Sequence, residues 1–209
     1  MTSVVHLSNS GSRNVRDRSA ADRYEAHLDA LTCLFRQADA RDGHGVGLSM
    51  DEALRWIVSH VGEVHAHHGK VMVIGNGGSA AIASHLAIDF TRNGGVPAMV
   101  FNDGAGLTCM GNDLGFERIF AEQIKLHGRN GDLLIAISSS GASPNILAGV
   151  EQALVLGCSV VTFSGFSPDN PLRKRGNVNL YVPSSHYGQV EVTHQMLCHA
   201  VIDFGGRWS

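Results

Sequence analysis

The chain has 209 residues, of which 44% are hydrophobic and 17% charged, with a formal net charge of -3 at pH 7. That length suits one domain with a substantial core, and the absence of any long basic block points away from nucleic acid and from an anionic membrane surface. No stretch approaches the roughly 18 unbroken apolar residues that a membrane span requires, and the start lacks a sustained apolar h-region, so a soluble, cytoplasmic protein is expected. Cys33, Cys109, Cys158 and Cys198 stand far apart without paired spacing, which suggests reduced thiols rather than a zinc ribbon or a disulfide framework.

Residues 1–20, rich in Ser, Asn and Arg with little periodicity, are expected to form a flexible arm, and residues 21–209 a single domain. From about Asp22 to Ala38, Leu28, Leu31, Leu34 and Phe35 make a helical stripe. Ser49 and Glu52 read as a capping box that opens a second helix, whose apolar face runs through Leu54, Ile57, Val58, Val61 and Val64. Together these predict an N-terminal helical hairpin. The trio His65, His67 and His68 at its end has two readings, metal ligands or side chains that complement the helix dipole.

After Gly69 the pattern changes to short apolar runs, 71–74, 98–101, 133–137, 159–163 and 178–182, alternating with helical stretches, including one near residues 116–124 and a last helix after 182. Consecutive units of this kind predict an α/β sandwich whose five-stranded parallel sheet is covered on both faces, with ligand loops at the carboxyl ends of the strands.

Two such loops carry the chemistry. The turn "GNGGSA" begins at Gly75, and its glycines permit close backbone approach while the helix that follows offers free N–H groups to an anion. Gly75, Gly77 and Ala80 also match the G-x-G-x-x-G/A dinucleotide fingerprint, with Asp103 where a ribose-binding acid could stand; a tight turn with no ligand is the third reading. The run "AISSSGASPN" places Ser138, Ser139, Ser140 and Ser143 around Gly141, just before a helix that starts near Pro144. One serine suffices to cap a helix, so the surplus hydroxyls point to a neutral cradle for a phosphate monoester. His85 and Asp89, four residues apart, share one face of the helix that leaves the glycine turn.

The segments "GNGGSA", "SHLAIDF", "MGNDLGF", "ISSSGAS" and "EVTHQMLCH" occur in the order found in sugar isomerase (SIS) domains, and over roughly residues 50–204 the chain resembles their phosphoheptose isomerase branch. The resemblance implies a flavodoxin-like sheet and homotetramers with active sites between subunits. The implied reaction is the conversion of sedoheptulose 7-phosphate to D-glycero-D-manno-heptose 7-phosphate through an enediol, serving activated-heptose and polysaccharide synthesis. Carried onto this chain, Ser138, Ser139, Ser140 and Ser143 would hold the phosphate, and Asn76, Gly77, Ser79 and Asp103 would contact the sugar or its phosphate end. A second phosphate cradle argues against the dinucleotide reading.

The same resemblance implies a zinc ion on His85, Asp89, Glu191 and His199, with Asp89 and His199 as the catalytic pair. Here Asp89 stands where the family has glutamate, and Glu191 where it has glutamine, so the carboxylate reaches from a different distance, and the changes have two readings, a subgroup acting on another ketose phosphate or a shift in metal preference. Glu191 and His199 lie about 12 Å apart along an ideal helix, at a rise of about 1.5 Å per residue, and can share an ion only by leaning together. His194 is expected as a separate polar surface residue. The rival expectation is a non-catalytic SIS-domain protein that binds a sugar phosphate or a regulatory partner, or an isomerase of another ketose phosphate.

Overall fold

The computed structural model describes residues 20–208, so the predicted arm over residues 1–20 lies, but for Ala20, outside the described residues. Seven helices and seven strands follow in order: α1 (Ala20–Gln37), β1 (Asp39–Asp42), β2 (Gly47–Leu48), α2 (Met50–Ala66), β3 (Val71–Gly75), α3 (Gly78–Asp89), β4 (Ala98–Val100), α4 (Gly104–Leu114), α5 (Ile119–His127), β5 (Leu133–Ser138), α6 (Pro144–Val155), β6 (Ser159–Ser164), β7 (Val178–Tyr181) and α7 (Tyr187–Gly205). They build one sheet in the order β2-β1-β7-β6-β5-β3-β4. The five predicted strands, β3 to β7, are parallel throughout and run 2-1-3-4-5, the flavodoxin-like order.

Their apolar runs are continuous because successive side chains enter different cores. Val71, Val73, Leu133, Ile135, Ile137, Val161 and Phe163 face the layer formed by α2, α3 and α7. Met72, Ile74, Leu134, Ala136 and Val160 face the opposite layer, where α5 and α6 supply Ile119, Phe120, Ile124, Ile146 and Val150.

The expected helical hairpin is replaced by a different arrangement. A two-stranded ribbon, β1–β2, separates α1 from α2 and extends the sheet antiparallel to β7, while both helices rest on α7. These strands span only four and two residues and lack the alternation that marks a strand in sequence. The capping box of α2 is present, with Ser49 and Glu52 bonded reciprocally. The sequence also gave no sign of α4, whose glycines at 104, 106 and 111 weaken its helical signal and which buries no residue.

Candidate functional site

Strand β3 sits between β4 and β5, so the chain leaves it toward one side and then returns to the other. The crevice at the carboxyl ends of β3 and β5 is therefore the topological switch point, where open α/β sheets bind ligands. A cavity of about 250 Å³ opens there, lined by residues 76–79, 137–140, Ser143, Tyr187 and Glu191. Six of the eight predicted substrate contacts, Asn76, Ser79, Ser138, Ser139, Ser140 and Ser143, line it as side chains or turns, and Gly77 joins them through its backbone. Asp103 does not; it is exposed and caps α4 by accepting from the Gly106 N–H at 2.9 Å.

The serine loop is tied inward but not saturated. Ser138 Oγ accepts from the Gly141 N–H at 3.2 Å and lies 3.3 Å from Ser143 Oγ, while Ser140 Oγ accepts from the Ala142 N–H. Gly141 has φ +62 and packs so closely on Asn170 that a Cβ would meet its Oδ1 at 2.0 Å, so no other residue fits this corner. Ser143 occupies the N-cap position of α6 but makes no capping bond, which contradicts a purely capping role for the serines. Ser139 Oγ is buried without a partner. A buried hydroxyl with no partner costs free energy unless a ligand engages it.

The glycine turn completes the cavity. Gly77 caps α3 without a side chain, so the first turns of α3 and α6 both present N–H groups to the same space. Asn76 and Asn145 lock the two loops together through reciprocal amide bonds of 2.9 and 2.8 Å. Asn145 and Tyr187 escaped sequence reasoning. The position of Asn145, buried in the first turn of α6, becomes telling only once β3 and β5 are known to be neighbours.

Farther along α3 lies a second polar group. His85 Nε2 is 3.2 Å and His199 Nδ1 3.6 Å from Asp89 Oδ2, and the two imidazoles meet edge to face with centroids 5.0 Å apart. One ligand atom from each residue falls within 4.8 Å of the others. Asp89 Oδ1 accepts from Asn93 Nδ2 at 3.0 Å, and Asn93 belongs to a π-helical turn, Phe90–Gly94, that directly extends α3. Asn93 thus holds the carboxylate with Oδ2 toward the histidines. Two imidazoles and one carboxylate, with both rings half exposed, form a three-donor set with an open side, the arrangement that catalytic metal centres use. The donor set therefore fits a divalent metal.

Glu191, expected as the fourth ligand, is not part of this group. Its carboxylate lies against the start of α3, where a Cβ on Gly78 would meet Oε2 at 2.5 Å, and it lines the serine cavity. It stands eight positions before His199 on α7, and the parallel run of α3 beside α7 keeps that spacing. His65, His67 and His68 join no metal-binding group among the described residues. His194, expected at the surface, is fully buried; Nε2 donates to the Ser164 carbonyl at 3.1 Å, and burial pushes its pKa down to about 4. Burial foremost, and the Asp89 charge second, hold the Cys198 thiol well above its usual range, so it remains a protonated core residue beside the site.

This architecture, a flavodoxin-like sheet with a serine cradle at its switch point, is the one shared by SIS domains, and the SIS domain family matches residues 49–165, more than half of the chain. The phosphoheptose isomerase of Burkholderia pseudomallei (strain K96243) is 39% identical over 142 residues, which cover 65% of this chain and 72% of that protein. That of Citrifermentans bemidjiense is 32% identical over 189 residues, covering 88% and 92%. A solved phosphoheptose isomerase from Neisseria gonorrhoeae superposes with a TM-score of 0.77 at 28% identity, over 90% of this chain and 99% of that one. The chain accordingly belongs to the SIS-domain family and, within it, to the phosphoheptose isomerases.

Proposed function

We infer that the protein is an aldose–ketose isomerase that converts sedoheptulose 7-phosphate to D-glycero-D-manno-heptose 7-phosphate. The observation that carries this reading is that one helix joins both halves of the site: α3 begins at the serine-lined cavity and presents His85 and Asp89 farther along, where His199 meets them. Gly78 and His85 are about 10 Å apart along the helix, at about 1.5 Å per residue, a span suited to a sugar whose phosphate and carbonyl lie at opposite ends.

In this reading Ser138, Ser139, Ser140 and Ser143, with the N–H groups that open α3 and α6, hold the phosphate and so measure chain length. Asn76, Gly77 and Ser79 position the adjoining hydroxyls. Asp89 and His199 share the proton transfers: a proton leaves C1 of the ketose, an enediol forms, and a proton returns at C2. His85, Asp89 and His199 would hold a divalent metal, zinc being the ion that this donor set favours, and it would supply a Lewis acid for the developing oxyanion. Because His85 and His199 are half exposed, a homotetramer with subunits meeting over this face is consistent with the arrangement. No described helix is long and apolar enough to cross a membrane, and a cytoplasmic enzyme acting on a free sugar phosphate accords with that.

The test is to follow purified protein and sedoheptulose 7-phosphate by NMR before and after chelation. Appearance of the aldose, lost on chelation and restored by zinc, supports the reading. Metal-replete protein that binds the sugar phosphate without forming aldose overturns it in favour of a non-catalytic binder.

A further inference from the structure

A second constellation lies at the opposite edge of the sheet, where strands begin rather than end. Ser159, the first residue of β6, places Oγ 2.6 Å from His60 Nε2, and His60 Nδ1 is 3.3 Å from Glu63 Oε2. We propose that Ser159, His60 and Glu63 form a reactive centre distinct from the isomerase site, in which Ser159 is an activated nucleophile toward small, uncharged acyl esters.

The tautomer follows from the partners. A carboxylate can only accept, so the proton of the neutral ring sits on Nδ1, facing Glu63, and Nε2 is left to accept from the Ser159 hydroxyl. That is the protonation state a general base needs: the nucleophile is hydrogen-bonded to Nε2, and the carboxylate lies within ion-pair range of Nδ1. The imidazole is also held flat: Trp56 stacks on it with centroids 4.3 Å apart and planes 12° apart. Ser159 is anchored by the sheet, since its N–H donates to the Asp132 carbonyl at 2.9 Å. All three groups open onto a cavity of about 260 Å³ that Val64, His67 and Gly131 also line. This lies just below the roughly 300–1,000 Å³ of drug-sized sites, which limits the substrate to a small one. The Glu63 carboxylate in the wall disfavours anionic esters.

In the reaction, Ser159 Oγ forms a bond to the acyl carbon and its proton passes to His60 Nε2. The bond from that carbon to the leaving oxygen then breaks, and the leaving group departs with the proton. Water, deprotonated by His60, later releases the acid and regenerates the serine. Because the Ser159 N–H is already engaged, the nucleophile's own backbone offers no donor to the tetrahedral oxyanion. Both half-reactions are therefore slow, and the acylated serine accumulates only with esters whose leaving group, such as nitrophenolate, makes acylation the faster step.

The experiment treats the full chain with a fluorophosphonate, in which Oγ displaces fluoride at phosphorus, and maps the adduct by peptide mass spectrometry. The expected result is a single phosphonyl group on Ser159, formed about a hundredfold more slowly in a His60→Gln variant of unchanged circular dichroism. Glu63→Gln slows it less, because Glu63 is largely exposed. p-Nitrophenyl acetate should give a burst of about one nitrophenol per chain before slow turnover. Absence of an adduct at Ser159 in the folded wild-type protein, or an equal labelling rate in His60→Gln, overturns the proposal; mapping separates it from labelling of the serine cradle.

Discussion

At the carboxyl edge of the parallel strands, Ser139 Oγ is buried without a partner, and the first turns of α3 and α6 receive no side-chain cap. At the amino edge, the buried Asp132 accepts from the Lys70 N–H at 2.9 Å, the Arg129 N–H at 2.8 Å and Lys70 Nζ at 2.5 Å. Both edges carry polar residues in loops, yet Ser139 leaves its hydrogen-bonding capacity open whereas Asp132 uses its carboxylate to close the fold. The contrast separates a buried group with an open hydrogen bond from one whose bonds are all made, which residue type alone does not.

The largest expected effect lies at the group of His85, Asp89 and His199 proposed to carry the chemistry. Asp89→Asn keeps the side chain's shape and an oxygen for Asn93 to bond, but loses the carboxylate, and is expected to lower kcat for the heptose phosphate by about a thousandfold. Steady-state assays on folded protein check this, and an unchanged kcat would remove Asp89 from the chemistry. The amino edge should behave in the reverse way: Asp132→Ala leaves Lys70 and two backbone donors without their acceptor and is expected to destabilise the fold by about 3 kcal/mol in urea titrations, with kcat/KM per folded molecule unchanged.

An effect of similar size, but confined to acid pH, comes from His194. Its folded pKa of about 4 lies below the ordinary 6.5, so the unfolded chain binds a proton that the folded one refuses between those values. Stability from this group is therefore complete above about pH 6.5 and declines by about 3 kcal/mol as pH falls to about 4. His194→Gln should flatten that slope in urea titrations run across the window. Ser139→Ala sharpens the comparison further: its hydroxyl is buried and makes no bond in the fold, so its removal should raise stability by about 1 kcal/mol. Its KM should nevertheless rise about tenfold, equivalent to about 1.4 kcal/mol of lost phosphate binding. The smallest effect belongs to Ser49→Ala, which breaks the α2 capping box and should cost about 1 kcal/mol of stability without altering kinetics.

The parallel strands, the capping box, the serine cradle and the His85/Asp89 pairing were legible from residue order, because each depends on neighbours within a few positions: apolar runs, an i to i+3 cap, hydroxyls clustered before one helix, two side chains one turn apart. The ribbon β1–β2 was not, since the four residues of β1 gain their pairing from β7, more than 130 positions away, and the two residues of β2 pair with β1. Only the tertiary structure could bring His199 to Asp89, divert Glu191 to Gly78, bury His194, use Asp103 as a helix cap and place Ser159 on His60. These outcomes depend on how α2, α3 and α7 lie on the sheet, and helix packing sets distances between residues that no local spacing encodes.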